Sequence, residues 1–87
     1  MKVIEIKNIE RKDNAVHYRR TFAGDAVLEH IGGPTEPRRI EFILEQSPLG
    51  STEVRVEIRD SLNYPLVPAV RVLADHIRLL DKQGKLP

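Results

Sequence analysis

Arg38-Arg39-Ile40-Glu41-Phe42-Ile43-Leu44-Glu45-Gln46-Ser47-Pro48-Leu49-Gly50-Ser51-Thr52-Glu53-Val54-Arg55-Val56-Glu57-Ile58-Arg59 holds two alternating runs separated by a turn. Val54, Val56 and Ile58 alternate with Glu53, Arg55, Glu57 and Arg59, and Ile40, Phe42 and Leu44 alternate with Arg39, Glu41 and Glu45. A period of two is the mark of a strand with one buried and one solvated face. Pro48 presets φ for the second position of a turn, and Gly50 can take the positive φ that closes a three-residue hairpin. With Ser47 facing Ser51, the register sets Leu44 opposite Val54, Phe42 opposite Val56 and Ile40 opposite Ile58. The outer face then sets Glu41 opposite Glu57 and Arg39 opposite Arg59, like charges relieved by diagonal neighbours of opposite sign.

Downstream, proline is tolerated only near a helix start, so a helix is expected to begin between Pro65 and Pro68 and to run to Gln83, with Gly84 as its stop. At 100° per residue, Leu66, Ala69, Val70, Leu73, Ile77 and Leu80 form one stripe, and Arg71, Asp75, Arg78 and Lys82 lie opposite. Val72, His76 and Leu79 widen the apolar arc to about 180°, beyond the ~100° that a single packing surface requires. This helix is expected to contact something besides its own sheet.

Upstream, Lys2 to Glu10 reads as a strand with Ile4 and Ile6 on one face and Val3 and Ile9 on the other. Arg11-Lys12-Asp13-Asn14 is a polar turn. Ala15 to Phe22 is a second strand in which Val16, Tyr18 and Phe22 alternate with His17, Arg19 and Thr21, leaving Arg20 on the apolar side near an end. Residues 23–37 admit two readings: Gly24-Asp25 turns the chain into a third strand, Ala26 to Ile31, or Asp25 caps a short helix that Gly32 ends. The strand is the reading taken here, with Gly32 to Pro37 as a loop.

The expectation is an α+β fold: an antiparallel sheet of four or five strands, built as hairpins in a meander, with one C-terminal α-helix across one face. Its core is expected to draw on Ile4, Ile6, Val16, Tyr18, Phe22, Ile40, Phe42, Leu44, Val54, Val56, Ile58, Leu66, Val70, Leu73, Ile77 and Leu80. The order of elements, strands first and one helix last, resembles that of the PC4-type single-stranded-DNA-binding coactivators, which are dimers. The likeness is one of element order and implies a dimeric, strand-faced nucleic-acid binder.

At 87 residues, 1–87 make a single domain, since cores rarely divide below about 150 residues. With no cysteine, neither disulfides nor thiolate metal sites can reinforce so small a core, and self-association is the remaining route. Fourteen Lys and Arg against thirteen Asp and Glu leave a net charge of +1, without the excess that holds polyanions by charge alone. No run approaches the ~20 apolar residues of a membrane span, and Met1-Lys2-Val3-Ile4-Glu5 is unlike the apolar region of a signal peptide. The expected setting is soluble and cytoplasmic, away from membranes.

Catalysis is not expected, and no catalytic, cofactor or metal site is assigned. His17, His30 and His76 show no ligand spacing. Asp75 and His76 diverge by 100° on a helix and cannot orient one another as neighbours. Ser47, Ser51 and Ser61 lie in turns, outside any nucleophile elbow. Gly32-Gly33-Pro34 matches no phosphate-binding pattern, and Pro65-Leu66-Val67-Pro68 reads as a rigid helix entry in preference to a groove-binding ligand.

Two surfaces remain. The ridge Val72, His76 and Leu79 is the candidate partner-binding site; its first candidate occupant is a second copy in a homodimer, another protein being the other. Alternatively, Val27, Leu28 and Ile31 fold over that ridge from within the chain. The strand residues Arg19, Arg39, Arg55 and Arg59 are the candidate contacts of a single-stranded nucleic acid, set against a bland reading of the same Arg and Glu residues as a solubilising, cross-strand-paired face.

Overall fold

The computed structural model describes residues 1–12, 18–30, 32–34, 36–60 and 66–87. The expected turn at Asp13-Asn14, Val16, His17, Ile31 and the helix entry from Ser61 to Pro65 lie outside them. Strands β1 (Lys2–Lys12), β2 (Arg19–His30), the two-residue β3 (Gly33–Pro34), β4 (Arg38–Gln46) and β5 (Thr52–Ile58) precede one helix, α1 (Leu66–Lys82). All pairings are antiparallel, in the spatial order β1-β2-β4-β5, with β3 attached to the end of β2. The α+β architecture is the one the alternation and the helical stripe imply.

The β4–β5 hairpin has the register read from its apolar positions: Ile40 faces Ile58, Phe42 faces Val56 and Leu44 faces Val54. Gly50 sits at φ 88°, and the turn is closed by Ser47 N–H donating to Ser51 O at 2.8 Å and Gly50 N–H donating to Ser47 O at 3.0 Å. The two serine hydroxyls also meet at 2.8 Å.

Residues 19–30 correct the sequence reading. There is no turn at Gly24-Asp25 and no separate third strand or short helix; β2 runs straight through, pairing Phe22 with Phe42, Gly24 with Ile40 and Asp25 with Arg39. Gly24 is there for space and not for a bend. A Cβ on it would lie 3.0 Å from Ile6 Cγ2 and 3.2 Å from the Lys7 carbonyl oxygen, so β1 crosses β2 at a distance that only a residue without a side chain allows.

β1 is the second correction. It continues to Lys12, through half of the expected turn, and its pairing with β2 slips between Val3 and Glu5 and again between Lys7 and Glu10. Each slip is a bulge that adds one residue on β1 and shifts the side chains that follow to the other face. Inward residues therefore recur every third position: Val3, Ile6 and Ile9 pack against the core, while Ile4, expected inside, is exposed. Asn8 occupies the second bulge at φ 54°, a backbone region that asparagine tolerates far better than branched residues do.

The core lies between the sheet and α1. Phe22, Ala26, Leu28, Ile40, Phe42 and Leu44 from the strands meet Ala69, Leu73 and Ile77 from the helix, all essentially inaccessible to water. Phe22 and Phe42 stack at its centre with ring centroids 5.2 Å apart. Tyr18 and Leu66, both expected in the core, are more than half exposed. Tyr18 precedes β2, and Leu66 is the first residue of α1, where the helix has not yet reached the sheet. The helix ends as Gly84 implies. Gly84, at φ 68°, donates its N–H to Asp81 O at 3.1 Å, and Lys85 donates to Leu80 O at 2.9 Å. This paired capping requires the left-handed conformation that glycine adopts without strain. Leu86 then folds back onto the core.

Candidate interaction surfaces

The helix buries a narrow stripe. Ala69, Leu73 and Ile77 are its fully buried residues, and apolar side chains continue on both flanks of that stripe. On one flank are the residues read from sequence: Val72 and His76 are half-buried and Leu79 is 50% exposed. Burial holds the His76 imidazole below its ordinary pKa near 6.5, because a poorly solvated site disfavours the charged form.

The intrachain cover considered for this ridge is absent at Val27 and Leu28. Both are built into β2, whose alternation sends Leu28 into the core and Val27 to the opposite face of the sheet; Ile31 lies outside the described residues.

The other flank was missed in the sequence. Leu66, Val67, Val70 and Ala74, edged by Arg71, Asp75 and Arg78, line an open hollow of about 390 Å³. Leu66 and Val67 are 56% and 68% exposed, and Arg78 is tied to Asp75 at 3.1 Å. The available signal was Val67 and Ala74 lying beside the stripe at helical spacing; counting Leu66 and Val70 as core concealed it.

On the far face of the sheet the candidate arginines stand among carboxylates. Arg19 contacts Glu45 at 2.9 Å, Arg39 contacts Asp25 at 3.4 Å, and Arg59 contacts both Glu41 at 2.9 Å and Glu57 at 3.3 Å. The hydrogen bond from Arg59 is the main reason the Glu41 carboxyl lies below its usual pKa, and the same contact raises that of the Arg59 guanidinium. Asp25 is likewise lowered, first by the Asn8 amide donating at 3.1 Å and then by Arg39. Arg55 differs: it is exposed, stands opposite Ile43, and has no carboxylate partner among the described residues.

At the turn end of the sheet, Tyr18, Glu45, Gln46, Ser47, Pro48 and Glu53 surround a hollow of about 480 Å³. His30 ends β2 and His76 lies on α1, while His17 is outside the described residues. Among the described residues no three His, Asp or Glu side chains converge to hold a metal ion, and no helix is long and apolar enough to cross a membrane.

No curated protein and no solved structure matches the chain. A family model does match, over residues 1–82, nearly the whole of the sheet and helix just described, and the chain belongs to the BB_0187 family.

Proposed function

We propose that this chain is a small non-enzymatic assembly module of the cytoplasm that associates with a second copy of itself through α1. The observation that carries the reading is the Val72–His76–Leu79 flank. Leu79 is half exposed, and Val27 and Leu28, the described residues that the sequence offered as its cover, are in the sheet. An apolar ridge left beside a packed helix stripe is a common form of protein contact surface. A domain of this size also gains stability by association that its limited core cannot supply. The nucleic-acid alternative draws less support, since Arg19, Arg39 and Arg59 are already neutralised by carboxylates on the surface that a polyanion has to approach.

Sedimentation of the chain and of Leu79→Glu tests the reading. A dimer for the parent chain and a monomer for the variant, with unchanged helix content, is the expected result. A parent chain that stays monomeric at high concentration at both pH 8 and pH 5.5 removes the proposal.

A further inference from the structure

The two edges of the sheet are treated differently by the sequence. β1 is blunted: it carries Lys2, Lys7 and Lys12, two bulges, and the positive φ of Asn8, which are devices that prevent a free edge from pairing. β5 has none of these. It pairs with β4 without a slip from Thr52 to Ile58, contains neither proline nor lysine, and leaves Val54, Val56 and Ile58 only half-buried.

The hydrogen-bond phase of this edge is set by its neighbour. Arg59 N–H donates to Arg39 O at 2.9 Å, and Ser51 O accepts from Ser47 at 2.8 Å. The odd-numbered residues of β5 thus turn their backbone groups toward β4, and alternation directs those of Thr52, Val54, Val56 and Ile58 toward open solvent.

We infer that β5 is a self-pairing edge, joining two copies of this chain into one continuous antiparallel sheet with Val56 opposite Val56 of the second copy. In this register Val54 faces Ile58 across the junction, and all outward-pointing backbone groups from Val54 to Ile58 find partners. On the charged face the same register sets Arg55 opposite Glu57 and Glu53 opposite Arg59, each twice by symmetry. These fall at the non-hydrogen-bonded positions, where side chains come closest. Centring the pairing on Arg55 instead sets Arg55 against Arg55 and Glu53 against Glu57, like against like. Centring it on Val54 keeps only the Glu53–Arg55 pair. The charge order Glu53, Arg55, Glu57, Arg59 thus selects one register and assigns a partner to Arg55, which has none in its own chain among the described residues.

A two-fold axis perpendicular to the sheet leaves both α1 helices on one face. Because α1 packs against β5, the helices then flank the junction. The inference rests on the self-association proposed above and names its surface.

Sedimentation and oxidative cross-linking of the full chain test it. Arg55→Glu and Glu57→Arg are each expected to raise the dimer dissociation constant about tenfold or more, since every substitution changes two symmetric pairs. The double variant Arg55→Glu/Glu57→Arg is expected to restore it. Val56→Cys is expected to form an intermolecular disulfide, because hydrogen-bonded cross-strand partners lie ~5.5 Å apart at Cα, within disulfide reach. Val54→Cys alone is expected not to. The chain has no other cysteine to confuse the result. A dimer insensitive to both charge reversals, with no cross-link through Val56→Cys, overturns the β5 pairing and leaves association through α1 standing. A monomeric parent chain overturns both.

Discussion

Arg20 and Asp81 form a two-pronged ion pair, Nη1 to Oδ1 at 2.8 Å and Nη2 to Oδ2 at 3.2 Å, that joins β2 to the last turn of α1. Arg20 is the one charged residue that β2 turns toward the helix side, and Asp81 stands at a helix end where the macrodipole disfavours a carboxylate. The two residues explain each other's position, and their loss should not be symmetric. Asp81→Asn removes the pair but also relieves the unfavourable end charge, so it is expected to cost under about 0.5 kcal/mol. Arg20→Gln leaves that charge unpaired and is expected to cost about 1–1.5 kcal/mol. Urea unfolding of both variants checks the order; Asp81→Asn as the costlier change contradicts it.

Gly24 gives a steric prediction. Gly24→Ala places a methyl group against Ile6 and the Lys7 carbonyl, so the two strands must separate, and a loss of about 1–3 kcal/mol is expected. Asn8→Val at the adjacent bulge forces a branched residue into the left-handed region and deletes the amide bond to Asp25, for about 1–3 kcal/mol. Stabilities within about 0.3 kcal/mol of the parent at both sites, read from denaturant unfolding, would count against the bulged geometry of β1.

Contrasting effects are expected along α1. Leu73→Ala opens a cavity in the fully buried stripe and is expected to cost about 2.5–4 kcal/mol. Leu79→Ala, at a half-exposed position, is expected to cost under about 1 kcal/mol in dilute solution while weakening association. Equal stability losses at dilution would show Leu79 to be a core residue.

The His76 imidazole has a pKa lowered by burial. The unfolded chain, with an ordinary histidine, takes up its proton first as the pH falls below about 6.5. Stability therefore rises with pH through this range and is lost on acidification, and the dimer weakens in the same direction if the ridge is its contact. Melting temperatures at pH 7.5 and 5.5 are expected to differ more for the parent chain than for His76→Gln. The lowered carboxyl pKa of Asp25 acts in a separate window, giving stability that is present above pH 4 and lost as pH falls through its folded value.

Binding to a single-stranded oligonucleotide is expected to be weak at physiological salt, because only Arg55 among the four candidate arginines lacks a carboxylate partner among the described residues. Fluorescence anisotropy across a salt series reads this directly. Tight binding with a steep inverse dependence on salt would favour the nucleic-acid reading.

Alternation and helical spacing, visible residue by residue, determined the β4–β5 register, the stripe Ala69–Leu73–Ile77 and the stop at Gly84. Each of these is specified by neighbours within one or two elements, so the local pattern suffices. The path of β2 through Gly24, the three-residue spacing of Val3, Ile6 and Ile9, and the exposure of Ile4, Tyr18 and Leu66 were decided by tertiary structure. A bulge changes which face a side chain occupies, and a glycine chosen for the close approach of another strand is indistinguishable from a turn glycine until that strand is in place. The same holds for the surfaces: the charges of β5 are plain in the sequence, but that they border a free edge whose even-numbered backbone groups point outward follows only from the order of strands in the folded sheet.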